Sequence, residues 1–314
     1  MLFSLLLVLA GLVVLTAGAE GLVRSGSSLA LRFGVTPLVV GLTIVALGTS
    51  SPELVVSAQA AFMGSSGLAL GNVVGSNISN TALILGTAAM IYPLKARAVV
   101  IRREMPVMIA VSAVLWLMII DGVLSRIDGI ILAVSVVIYT FFIYYSARKG
   151  KVKELEEQFS EAVDKPSKHP AGDVAMLIGG VLFLVAGATL LVTGAVDAAK
   201  TLGIPEVVIG LTVVAVGTSL PELATSTVAA YRKEADMALG NAIGSNISNI
   251  LLVLGLTAII NPISAADIRL VDMAVMLGTA VFLWALLGLR FVLDRLEAFI
   301  LLVVYALYIY TLIP

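Results

Sequence analysis

Apolar residues run along this chain in long, nearly unbroken blocks separated by short polar segments. The blocks cover residues 2–23, 36–62, 67–91, 106–120 and 129–147 and, after one charged stretch, residues 174–199, 207–231, 237–260, 271–289 and 298–313. A helix needs about 20 mostly apolar residues to cross a bilayer, so each block predicts a transmembrane helix. An all-α integral membrane protein of ten spans is expected. The first block also has the look of a signal peptide, with Ala17-Gly18-Ala19 as a cleavage-like triplet. It lacks a basic start, however, and the triplet recurs inside the chain as Ala186-Gly187-Ala188, so a retained span is expected.

Composition narrows the class. The 314 residues are 60% hydrophobic and 12% charged, with a mean hydropathy of +1.10. A soluble domain of this length needs far more charged surface. The net charge of −1 offers no basic field for nucleic acid. With no cysteine, disulfide frameworks and thiolate metal sites are excluded. His169 is the single histidine and reads as a solvated loop residue, which argues against a histidine-based metal or catalytic centre.

The polar interruptions repeat. Gly48-Thr49-Ser50-Ser51-Pro52-Glu53-Leu54 recurs as Gly217-Thr218-Ser219-Leu220-Pro221-Glu222-Leu223. Gly71-Asn72 followed by Gly75-Ser76-Asn77-Ile78-Ser79-Asn80 recurs as Gly240-Asn241 and Gly244-Ser245-Asn246-Ile247-Ser248-Asn249. Both recurrences share an offset of 169 residues, which also carries Pro93 onto Pro262 and Asp128 onto Glu297. Each copy holds five spans, an odd number, so the second crosses the membrane in the opposite sense. Inverted duplication is a recurring plan of secondary transporters, with the binding site at the repeat interface near the midplane. The predicted divisions are residues 1–147 for the first repeat, 148–172 for a linker and 173–314 for the inverted second repeat.

Basic residues set the orientation. With the N-terminus outside, the cytoplasmic loops carry 16 Lys and Arg, including Arg24, Arg32, Lys95, Arg97, Arg102, Arg103, Arg232, Lys233, Arg290 and Arg295. The outer loops carry 3: Arg126, Lys200 and Arg269. Both termini are thus expected outside and the linker in the cytoplasm. Residues 151–164 of the linker are charge-rich and predict a short surface helix ended by Pro166. Glu20, Asp121, Asp128 and Glu297 read as interface-facing residues near span ends.

Glu53 and Glu222 lie in the middle of apolar spans. A carboxylate there costs at least about 2.5–3.5 kcal/mol on insertion scales, so it needs a partner or a purpose. No basic residue within the spans can pair with either. Gly48 and Pro52 break the second span, and Gly217 and Pro221 the seventh. Proline removes a backbone donor and blocks a carbonyl one turn earlier, so carbonyls such as those of Ala46, Thr49, Ala215 and Thr218 are expected to face a cavity. Thr49, Glu53 and Ser57 share one helix face; Asn72, Ser76 and Asn80 do so in the third span, and Asn241, Ser245 and Asn249 in the eighth. Flanking Gly71, Gly75, Gly240 and Gly244 let helices approach closely. All these groups are hard oxygen ligands, suited to calcium and, in smaller number, to sodium. Helix-to-helix hydrogen bonding is the competing reading for Ser57, Ser79, Ser226, Ser248, Asn77 and Asn246.

At these duplicated motifs the sequence resembles the sodium/calcium exchangers of the calcium/cation antiporter superfamily, over essentially the whole chain. The resemblance implies four clustered cation positions among helices two, three, seven and eight. Carried onto this chain, the ligands would be Glu53, Glu222, Thr49, Thr218, Ser50, Ser219, Ser76, Ser245, Asn80 and Asn249, with the backbone oxygens of Ala46 and Ala215. It also implies that the first and sixth helices slide past the rest to switch access. Some relatives carry Asp where this chain has Asn249, and potassium-dependent members rely on that carboxylate. With Asn at both 80 and 249, two carboxylates match one calcium ion, whereas three sodium ions leave an excess positive charge. Electrogenic, potassium-independent exchange is therefore expected, with calcium and sodium as cargo, no organic cofactor and no obligatory protein partner.

Three other readings stand beside this one. Proton/calcium exchangers of the same superfamily carry a glutamate after a G-N-A segment, which neither Asn72-Val73-Val74 nor Asn241-Ala242-Ile243 provides. A passive cation channel usually builds its ligand rings from several subunits, unlike a duplication within one chain. An intramembrane enzyme would need a nucleophile–base pair or a metal-histidine set, and none is present.

Overall fold

The computed structural model describes residues 2–62, 66–149, 170–202, 217–266 and 268–312. The charge-rich part of the linker, His169, Ala215 and the first half of the seventh predicted span lie outside the described residues. Every other predicted span is helical. Among the described residues, six helices are individually long and apolar enough to cross a membrane, or seven if the bent pair Pro37–Thr49 and Ser51–Phe62 is one span. Their surfaces are inside out relative to a soluble protein: Leu5, Leu9, Val13, Val137, Phe141, Leu182 and Phe299 are exposed, while Glu53, Glu222, Asn80, Asn241 and Asn249 are buried. That arrangement suits hydrocarbon as the solvent.

The first helix outruns its predicted end. It continues from Leu2 to Phe33, placing Arg24 and Arg32 on the helix and not in a loop. Its polar turn is accommodated locally, since the Ser25 hydroxyl donates to the Gly21 carbonyl at 2.7 Å. The helix stops where Gly34 adopts a φ of 63°, which lets Val35 N–H close back on the Ala30 carbonyl at 3.0 Å. A left-handed residue just past a helix end favours glycine.

Helices Leu2–Phe33 and Pro170–Thr201 cross with their backbones touching. A Cβ on Gly11 would stand 2.6 Å from Leu191 N, and one on Gly187 2.5 Å from Leu15 N. Side chains tie both ends of the crossing. The Ser4 hydroxyl donates to Asp197 at 2.5 Å at one end, and the Ser28 hydroxyl to Asp173 at 2.8 Å at the other. Shifting either pair of positions by 169 residues produces the other with the two helices exchanged, although in both ties the serine donor is on Leu2–Phe33 and the aspartate acceptor on Pro170–Thr201.

The loops show the same exchange. Strand β1 (Leu94–Lys95) pairs antiparallel with β4 (Val292–Leu293), and β2 (Val123–Leu124) with β3 (Ile263–Ser264). These two-residue pairings are the departure from an all-helical chain. Helix starts also match across the offset: Asp128 accepts from Ser125 N–H at 2.9 Å, and Glu297 accepts from Asp294 N–H at 3.0 Å. Near-terminal acids therefore cap helices, where the positive end of the helix dipole favours them.

Candidate cation site

A bent helix pair and helix Leu220–Tyr231 bring the carboxylates together. Helix Ala46–Thr49 ends at Ser50 (φ −79°, ψ 8°), and Ser51–Phe62 restarts at an angle of 44°. In the second copy Ser219 takes nearly the same conformation (φ −88°, ψ 7°) ahead of Leu220–Tyr231. Pro52 and Pro221 sit in the first turn of each restarted helix, where a missing N–H is tolerated. Glu53 and Glu222 follow in that same first turn, and each is 0% exposed.

The hydrogen bonds cross between copies. The Ser50 hydroxyl donates to Glu222 Oε1 at 3.1 Å, and the Ser219 hydroxyl to Glu53 Oε1 at 3.4 Å. Ser245 donates to the same Glu222 oxygen at 3.4 Å, and Ser219 also reaches Ser76 at 3.2 Å. Thr49 donates to Asn241 Oδ1 at 3.1 Å, and Thr218 to Asn72 Oδ1 at 3.4 Å. Those asparagines are held in turn by Ser226 and Ser57, which accept from Asn241 and Asn72 at 2.9 and 3.1 Å. Asn249 donates to Asn77 Oδ1, and Asn77 to the Asn246 carbonyl, both at 3.1 Å.

Several oxygens are left over. Glu53 Oε2, Glu222 Oε2, Asn249 Oδ1 and both polar atoms of Asn80 are buried with no protein hydrogen-bond partner. Buried polar atoms are nearly always bonded, so a free oxygen on each of two wholly buried carboxylates calls for a bound species. The orphans are mostly acceptors and include two anionic oxygens, which is the donor set of a hard cation.

Of the residues singled out in the sequence, Thr49, Ser50 and Ser245 join a hydrogen-bonded network around Glu222, and Thr218, Ser219 and Ser76 join a matching network around Glu53. Asn80 and Asn249 lie at the start of π-helical turns, Ser79–Ile84 and Asn249–Leu254. Such turns interrupt the regular ladder and are frequent at functional sites; no residue pattern used above marks them. The Ala46 carbonyl differs from expectation. It accepts from Ser50 N–H at 3.0 Å and from the Thr49 hydroxyl at 3.3 Å, because the donor that Pro52 lacks belongs to the carbonyl of Gly48, four residues back. Two of the four small residues, Gly240 and Gly244, make the close approach expected of them, whereas a Cβ on Gly71 or Gly75 would meet nothing within 4 Å among the described residues. A Cβ on Gly240 or Gly244 would lie 2.7 Å from the Leu38 carbonyl or 2.6 Å from the Leu42 carbonyl, so the eighth helix rests directly on the second. Residues 207–215, the repeat counterparts of the 38–46 segment on which Gly240 and Gly244 rest, lie outside the described residues.

An oxygen-lined site built from two duplicated sequence motifs on apolar helices fits an ion transporter of the secondary active class. The family described as sodium/calcium exchanger protein matches residues 3–145 and 173–313, and the chain belongs to that family. It is 34% identical over 343 aligned residues to sodium/calcium exchanger MaX1 of Methanosarcina acetivorans, covering 98% of each chain. It is 40% identical over 266 residues to inner membrane protein YrbG of Escherichia coli, covering 83% of this chain and 81% of that one. A solved structure of the sodium-calcium exchanger NCX_Mj superimposes with a TM-score of 0.86 at 32% identity, covering 99% of both.

Proposed function

We propose that this chain is a secondary active antiporter that exchanges sodium for calcium by alternating access. It is a transporter and not an enzyme, with inorganic cations as cargo, no organic cofactor and no obligatory protein partner. The carrying observation is the pair of 0%-exposed carboxylates, one from each copy, each with an oxygen that no protein donor meets. Calcium bridging Glu53 and Glu222 would satisfy both. Thr49, Thr218, Ser50, Ser219, Ser76, Ser245, Asn80 and Asn249, with backbone oxygens of Ala46 and Ala215, complete the ligand set for calcium and sodium. The Ala46 carbonyl joins by releasing one of its present donors.

The architecture proposed is ten transmembrane helices in two inverted five-helix repeats, residues 1–147 and 173–314, with helices two and seven broken. The exchanged Ser–Asp ties, strand pairs and hydroxyl–carboxylate bonds support it, since a two-fold axis in the membrane plane converts each into its partner. Both termini face outward in a cell membrane, and linker 148–172 is cytoplasmic. Reconstituted in calcium-loaded liposomes, the protein is expected to release calcium when sodium is supplied outside, with a transport current and without potassium. Release that needs a proton gradient would move it to proton/calcium exchange, and release with no counter-gradient would make it a channel.

In this reading the paired helices Leu2–Phe33 and Pro170–Thr201 slide against the rest, and one end carries a latch. Arg232 Nε donates to Glu20 at 2.8 Å, Arg24 pairs with the same carboxylate at 2.9 Å, and Ser27 donates to Glu234. The repeat does not mirror it, because Glu20 corresponds to Thr189 and Arg232 to Met63. Arg232→Gln is therefore expected to shift the balance between the two positions by about fivefold, the roughly 1 kcal/mol of a partly exposed ion pair. Spin labels on Thr16→Cys and Val55→Cys, in a chain that has no cysteine of its own, read the shift as a changed ratio of distances. An unchanged distribution would remove the latch from the mechanism.

A further inference from the structure

A groove of about 470 Å³ lies on the outer surface between the fourth and ninth helices, far in sequence from the cation cluster. Ile101, Arg102, Pro106, Val281, Trp284 and Gly288 line it, and Arg102 is its one charged wall. The groove has a local cause. Residues Val100–Glu104 form a π-helical turn in which Met105 N–H closes on the Val100 carbonyl. The next residue, Pro106, has no N–H, which leaves the Ile101 carbonyl without its helical donor. The Trp284 indole N–H takes that carbonyl at 2.8 Å and fixes the ring across the groove. Along helix Leu270–Arg290, Val281, Trp284 and Gly288 share one face over about 10 Å, and Gly288 leaves the end toward Arg290 open. A Cβ there would meet nothing within 4 Å.

Charge is sorted at this end of the molecule. Arg103 turns inward to buried Glu104 at 2.6 Å, and Glu104 also accepts from Tyr139 at 2.9 Å. Arg97 pairs with Asp236 at 2.6 Å. Arg102 is exposed and forms no ion pair among the described residues. The β1–β4 pairing brings the Leu94–Lys95 loop and the loop after Arg290 to the same basic face. An apolar slot open to hydrocarbon, ending at an uncompensated guanidinium on the basic face, is complementary to a lipid with an anionic head and an apolar tail.

We propose that this groove is a binding site for one anionic phospholipid of the leaflet at the basic face, its acyl chain along Val281 and Gly288 and its phosphate on Arg102. A neutral lipid can fill the slot but leaves the guanidinium unmatched. Volume and lining fit the roughly 300–1,000 Å³, mostly apolar sites that hold small ligands.

The test is native mass spectrometry of the purified full chain titrated with dioleoylphosphatidylglycerol, with dioleoylphosphatidylcholine and chain-free glycerol 3-phosphate in parallel. One phosphatidylglycerol is expected to bind more tightly than phosphatidylcholine, and glycerol 3-phosphate is expected not to bind. Arg102→Gln should weaken phosphatidylglycerol about fivefold, matching roughly 1 kcal/mol per basic residue at a membrane surface. Gly288→Leu should abolish binding of that lipid by filling the slot. Gly278→Leu, on the same helix and equally free of neighbours within 4 Å, should bind like the parent. Equal binding of the two lipids, or unchanged binding in Arg102→Gln and Gly288→Leu, overturns the site. Binding of glycerol 3-phosphate as tight as that of the whole lipid would show an anion site and remove the acyl chain from it.

Discussion

Glu53→Gln and Glu222→Gln are each expected to abolish sodium-driven calcium release, while the ion-free protein stays at least as stable as the parent. The two halves of this expectation have one cause. Each carboxylate is wholly buried, has an oxygen with no protein partner and is approached by no basic side chain among the described residues. Burying such a charge costs several kcal/mol, and a neutral amide of the same shape costs less. Gln keeps an acceptor for the Ser219 or Ser50 hydroxyl, so the cluster retains its bonds across the repeats. Calcium loses one of its two charges of opposite sign. Saturating ligand at about 100 times its dissociation constant stabilises a protein by about 2.7 kcal/mol, and that increment should vanish in both variants. Thermal unfolding with and without calcium, run beside the liposome assay, checks both parts. A variant that is stabilised by calcium like the parent would take its carboxylate out of the site. A variant that loses transport only because it unfolds earlier would make the residue structural.

Side-chain periodicity made much of this site legible. Stripes spaced by four residues singled out Thr49, Glu53, Ser76 and Asn80, but the break at Ser50 parts the first pair, so that Thr49 meets Asn241 and Ser245 while Glu53 meets Ser219. What remained hidden depends on register between distant segments. The Ser50 hydroxyl meets Glu222 and not its own neighbour Glu53, a crossing that one strand of sequence does not encode. The same holds for Leu94 pairing with Leu293, or Val123 with Ser264. Local chemistry escaped for another reason. Hydropathy counts residues, so it ends the first span at the polar residues after Val23, whereas the helix ends at Gly34, where the backbone turns left-handed. The π-helical turns at Asn80 and Asn249 leave no mark in the apolar periodicity from which the spans were read.

Gly187→Val is expected to stop transport and to cost more stability than any other small-residue substitution on the same helix. Its Cβ would lie 2.5 Å from Leu15 N, 2.8 Å from Leu15 Cα and 2.9 Å from the Gly11 carbonyl, all backbone atoms with no rotamer to yield. Overpacking a filled interior costs about 1–3 kcal/mol even when side chains can move, so a backbone clash belongs at or above the upper end. Gly179, eight residues earlier, faces open space, and Gly179→Val should behave like the parent apart from the small β-branched penalty. The functional consequence follows from the ties at both ends. Ser4–Asp197 and Ser28–Asp173 hold the crossing as one unit, so parting the helices at the middle strains both ties or breaks them. Gly11 and Gly187 share the same contact, and the Gly11→Ala and Gly187→Ala effects should therefore fall short of adding in the double variant. Full additivity in unfolding temperature, with transport lost in neither single variant, would mean that the two helices do not act as one body.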